Sequence, residues 1–89
     1  MYSITAYTLH KAQMLGVKVL PSTNPKKKID VFRDGKKIAS VGARGMMDFP
    51  SYLERDGRIV ALKKREAYWK RHHKDVLSGN GYWAAHLLW

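Results

Sequence analysis

The segment that most constrains the fold is Ile29-Asp30-Val31-Phe32-Arg33-Asp34-Gly35-Lys36-Lys37-Ile38-Ala39-Ser40-Val41. Two β-branched stretches flank an Asp-Gly pair, which readily adopts the positive backbone torsions of a tight type I′ turn. This predicts a β-hairpin over 28–42. Alternation sets Ile29 and Val31 on one face of the first strand and Phe32 on the other. A two-stranded ribbon is marginal alone, so helices must cover one face.

The remaining segments supply those helices. Residues 5–15 carry Ala6, Leu9, Ala12 and Leu15 at helical spacing, and Gly16 offers a stop. Val17-Lys18-Val19-Leu20 is a short extended piece, and 20–26, with Pro21 and Pro25, is read as a loop. Gly42-Ala43-Arg44-Gly45 reads as a connecting loop without the glycine spacing of a phosphate-binding loop. Asp48 stands where an N-cap would precede a short helix over 49–55, with Pro50 in its first turn and Gly57 closing it. No proline or glycine interrupts 58–77, a longer basic helix in which Ile59, Leu62, Trp69 and Val76 form a stripe expected to dock on the hairpin. Ser78-Gly79-Asn80-Gly81 breaks that helix and offers a cap to a last one over 81–89, whose leucines and tryptophans close the core. The expectation is an α+β single domain, one β-hairpin packed against three to four helices.

Charge narrows the function. With 17 Lys plus Arg against 7 Asp plus Glu, the formal net charge is +10 on 89 residues, which favours nucleic acid or another acidic partner. At 45% hydrophobic and 11% aromatic, the chain is too apolar for a disordered basic tail. The excess concentrates in the long helix, where Arg58, Lys63, Lys64, Arg65, Lys70, Arg71 and Lys74 face only Glu66 and Asp75, too few for neutralisation at i,i+4. Cations beside rings suit a polyanion whose phosphates attract the charges and whose bases stack. The expected phosphate contacts are Lys63, Lys64, Arg65, Lys70, Arg71 and Lys74, with Tyr68 stacking, Trp69 buried and His72 a charge-tunable contact. Lys26, Lys27, Lys28, Lys36 and Lys37 at the hairpin's ends form a secondary anchor. The expected ligand is nucleic acid, double-stranded DNA read largely without regard to sequence.

Other chemistries find little support. The chain has no cysteine, which removes disulfides, thiolate metal sites and cysteine nucleophiles and fits a reducing compartment. His72 and His73 are neighbours that point about 100° apart on a helix, a poor metal pair. Ser40 and Ser51 lie in no nucleophile motif, and Asp34 and Asp48 are taken by a turn and a cap. No enzyme activity, cofactor, metal or small-molecule substrate is expected. No apolar run approaches the roughly 20 residues that span a bilayer, and no leader pattern opens the chain, so an intracellular site is expected.

Several pieces together carry a family resemblance: Pro21-Ser22-Thr23-Asn24, Lys27 to Phe32, Asp34-Gly35-Lys36-Lys37, Val41-Gly42-Ala43, Asp48 to Tyr52, Arg65 with Tyr68, Arg71-His72, and Gly81-Tyr82-Trp83-Ala84-Ala85-His86-Leu87-Leu88-Trp89. In this combination the chain resembles a family of short basic proteins encoded by large and mid-sized eukaryotic DNA viruses and their satellites: nucleocytoplasmic large DNA viruses, polinton-like viruses and virophages. The family has no settled activity, so the resemblance implies no site residues. It implies a viral setting and a place in the virion, reached from the host nucleus or cytoplasm during assembly. Where the family's loop has Gly-Tyr before Asp, this chain has Gly45-Met46-Met47. The leading expectation is a virion-associated protein that binds and condenses the genome. The alternative is a minor capsid or cement protein docking on acidic shell proteins without touching nucleic acid.

Overall fold

The computed structural model describes residues 2–89, a small compact α+β domain. It begins with α1 (Ala6–Leu15), for which Thr5 is the N-cap, its hydroxyl oxygen accepting the Thr8 N–H; Gly16, at φ 71°, turns the chain out and donates to the Ala12 and Gln13 carbonyls. Three strands follow, β1 (Lys18–Pro21), β2 (Lys27–Arg33) and β3 (Lys36–Ala43), in an antiparallel sheet of order β1-β2-β3. The hairpin forms as the sequence predicts, with Asp34 at φ 54° and Gly35 at φ 79° in its turn. The pairing Val31↔Ala39 and then Phe32↔Lys37 leaves Ile38 as a bulge.

The loop expected over 20–26 starts later, because Lys18–Pro21 adds a third strand, with Val19 opposite Val31 and Leu20 opposite Asp30. Val19 supplies the one apolar side chain that the core face needs there. The segment is too short for a recognisable alternating pattern and becomes a strand only because β2 offers it a free edge.

The helices divide differently from the sequence expectation. After β3 come α2 (Phe49–Asp56), α3 (Arg58–Arg71), a 3-10 turn at Asp75–Leu77 and α4 (Gly79–Leu88). The stripe Ile59, Leu62, Trp69 and Val76 does not dock on the hairpin: α3 packs on α2, ends at Arg71 and leaves Val76 in the separate turn. The sheet is covered instead by α4, together with α1. Laying α3 on the sheet would draw its cations out of water, whereas α4 offers Ala85, Leu87 and Leu88 with no lysine or arginine.

The core joins Val19, Ile29, Val31, Ala39 and Val41 of the sheet to Ala12, Leu87 and Leu88. Each large aliphatic side chain buried there contributes about 1.5–3 kcal/mol relative to exposure. The leucines close this core, while Trp83 and Trp89 remain half-buried at its rim. Ser78 precedes α4 but makes no capping bond through its side chain. At the other end of α4, the Thr8 hydroxyl donates to the Leu87 carbonyl at 2.8 Å and the Tyr7 hydroxyl to that of Trp89 at 3.1 Å, satisfying last-turn acceptors. Gly81 lets α4 cross close to the 3-10 turn, since a β-carbon there would overlap the Asp75 carbonyl oxygen.

Candidate nucleic-acid interface

The outer side of α3 follows from its periodicity. At about 100° per residue, Lys63, Lys64, Lys70 and Arg71 fall within an arc of roughly 120°, with Lys70 and Arg71 each two turns beyond Lys63 and Lys64. All four are exposed. Only Lys70 has an ion-pair partner among the described residues, the equally exposed Glu66 at 3.6 Å, a pair worth about 0.3–0.5 kcal/mol at best. Lys74, just past the helix, is also exposed and unpaired among these residues.

The inner side is aromatic. The Arg65 guanidinium lies 4.5 Å from the centre of the Phe49 ring and pins α3 to α2, so Arg65 leaves the outward set. Tyr68 is corrected more sharply: one face of its ring is stacked on Trp89 at 4.5 Å and 8°, and His72 packs against it at 4.5 Å. With Trp89 stacked on it and His72 packed against it, Tyr68 is not a free platform for a base. Burial, and next the charge of Asp75, raise its hydroxyl pKa above the usual value. Trp69 is half-buried and meets His86 edge-on at 5.4 Å. His72 is half-buried, its Nδ1 3.3 Å from an Asp75 carboxylate oxygen, so that nitrogen already has a partner within the protein.

Lys28 is a second correction. It is 4% exposed, and its ammonium donates at 2.9 Å to Asp48, itself 1% exposed, so Lys28 is not one of the exposed lysines of a hairpin anchor. Asp48 serves several partners: Oδ2 accepts from Lys28 and from the Tyr2 hydroxyl, both at 2.9 Å, while Oδ1 accepts the Ser51 N–H at 3.0 Å and caps α2. Burial acts to raise the Asp48 carboxyl, but the hydrogen bonds from Ser51 and Lys28 and the Lys28 charge outweigh it and hold the carboxyl below its ordinary range. Tyr2 is pushed well above its ordinary value by burial and by the adjacent carboxylate.

The other hairpin lysines separate. Lys36 and Lys37 are exposed at the turn, while Lys26, exposed, and Lys27, half-buried, lie at the open end about 20 Å away along the strands. The open end is the one near α3. There Lys28, Gly42 and Ala43 join Tyr68, Arg71, His72, Leu88 and Trp89 around a cavity of about 260 Å³. Thus Lys26 and Lys27 lie at the cavity's end of the hairpin, and Lys36 and Lys37 lie at the opposite end.

Sequence reasoning found the cap at Asp48 but missed its ion pair with Lys28, which no local spacing signals. It also missed Asp30, which sits on the outer face of the sheet with the Ser22 and Ser40 hydroxyls donating to Oδ1, each at 2.6 Å, and no ion-pair partner among the described residues. Burial would raise this carboxyl, but those hydroxyls, the Thr23 N–H and nearby Lys37 lower it instead. Among the described residues no cluster of histidine and acidic side chains is arranged to hold a metal ion, and no helix is long and apolar enough to cross a membrane. Compared with protein families, with curated proteins and with solved structures, the chain finds no match.

Proposed function

We propose that this is a non-enzymatic, virion-associated basic protein that binds the genome, as double-stranded DNA and largely without sequence preference, through the outer face of α3. The observation that carries the reading is the arc of Lys63, Lys64, Lys70 and Arg71, continued by Lys74, exposed and nearly free of internal acids. The inward turn of Tyr68 and Arg65 changes the mechanism from stacking with charge to charge alone. Phosphate contacts position a protein without reading bases, in keeping with a packaging role. The viral setting rests on the family resemblance.

If those five cations each neutralise one phosphate, log affinity for duplex DNA falls against log salt with a slope of about −4.5, at about −0.9 per contact. Fluorescence anisotropy across a potassium chloride series measures it, and a slope near zero overturns the reading. A second reading draws on Ile59, which is 73% exposed beside Val60 and Leu62, apolar surface that a phosphate backbone does not use. In that reading α3 docks on an acidic shell protein. Pull-down by purified shell protein, lost in Ile59→Glu while DNA binding is kept or absent, would favour it.

A further inference from the structure

The cavity at the C-terminal end of α3 is not explained by phosphate contacts along the helix. Its volume of about 260 Å³ lies below the roughly 300–1,000 Å³ of pockets for drug-sized ligands, so it suits one ring system. Met46 and Met47 form its outer wall, soft side chains that shape themselves to a flat surface. Leu88, buried, and Trp89, half-buried, make the apolar inner wall. Arg71 belongs to the cavity and to the outward arc alike; it has no ion-pair partner among the described residues. Lys28 completes the wall. Its ammonium carries three N–H donors, of which Asp48 takes one at 2.9 Å, and it lies 5.4 Å from the centre of the Tyr2 ring.

Gly42 lets the β3 backbone pack closely against the Leu88 and Lys28 side chains of this wall. Its φ of 83° favours glycine, and a β-carbon there would stand 2.7 Å from Leu88 Cδ1 and 3.0 Å from Lys28 Cδ. The site therefore combines apolar walls, a buried cation and, at the mouth, a guanidinium without an ion-pair partner among the described residues.

We infer that this cavity receives a single unstacked nucleotide: its base lies between the methionines and the Leu88–Trp89 wall, a ring carbonyl accepts from Lys28, and its phosphate pairs with Arg71. The choice of ligand rests on the nucleic-acid reading above, because the cavity opens where the cationic arc ends and a strand lying along α3 is delivered to it. A strand end, a gap or a single-stranded stretch supplies such a nucleotide, and an intact duplex does not.

The test is a titration of the full chain, labelled at the methionine methyls, with thymidine 5′-monophosphate, followed by NMR. The Met46 and Met47 methyls are expected to shift saturably while the exposed Met14 methyl, remote on α1, stays in place. Ala84→Met fills the cavity, and Met46→Glu sets a negative charge at its mouth on a side chain that is 68% exposed and so tolerates change. Each should weaken nucleotide binding at least about tenfold, with the salt slope for duplex DNA retained at least in Ala84→Met. Unmoved Met46 and Met47 methyls, or methyls that respond to decanoate and not to the nucleotide, overturn the pocket and leave the duplex reading standing. Methyl shifts in a protein with no salt-dependent duplex binding support the pocket and overturn the duplex reading.

Discussion

Two regions of this domain solve opposite problems. The sheet with α1 and α4 buries a continuous apolar cluster and admits charge only as Lys28 paired with Asp48 at its margin and Asp30 tied to hydroxyls. The α2–α3 pair, joined at Gly57, keeps most of its surface in water: among the residues of α3 only Ala61 is buried, and Ile59 stands open. Stability is gathered in the first region so that the second can carry unneutralised cations. A domain this small has only one core to spend on that division.

The comparison breaks first at the boundary. Asp48→Asn keeps a capping oxygen for α2 but leaves Lys28 as an unpaired buried charge, and chemical denaturation should show a loss of about 3–5 kcal/mol. Within the core, Leu87→Ala should cost about 2–5 kcal/mol, whereas Ile59→Ala on α3 should change stability by less than about 0.5 kcal/mol. Equal losses at the two sites would erase the distinction. Replacing Lys63, Lys64, Lys70 and Arg71 together by glutamine should leave the melting transition within a few degrees of the parent and flatten the salt slope for duplex DNA by about 3.6. A collapse of the fold in that variant would place the arc among structural residues.

The smallest effects are those of pH. Because the folded Asp48 carboxyl lies below its unfolded value, its contribution is fully present above about pH 4 and is lost as pH falls through the folded value. His86 is held below its ordinary value by burial and then by Lys11. The unfolded chain therefore binds the proton more readily, and stability should decline as pH drops below about 6.5. His86→Gln should remove that decline from melting curves recorded between neutral and mildly acidic pH, with the Asp48 loss at lower pH left in place.

Local signals were legible wherever backbone chemistry decided the outcome. Asp34-Gly35 turned the hairpin, Gly16 ended α1 and Asp48 capped α2, whereas Gly79-Asn80-Gly81, expected as an interruption, forms the first turn of α4. The site was legible only in part. The density of cations near 63–74 was plain, yet which of them face outward depended on the partner of α3, and the stripe through Ile59 and Leu62 pointed to the wrong one. Tyr68 read as a stacking platform because its flanking charges are visible in sequence, while the rings packed against it are contributed by Trp89 and by His72.

By itself the sequence determined the hairpin, the caps of α1 and α2 and the cationic character of α3, since each is settled by torsional preference or charge within a few residues. Only the tertiary structure decided that α4 covers the sheet, that Lys28 turns inward to Asp48, and that a cavity opens between the end of α3 and the hairpin. Those outcomes depend on which apolar faces can be buried together without stripping water from unpaired charge, a competition among segments far apart along the chain.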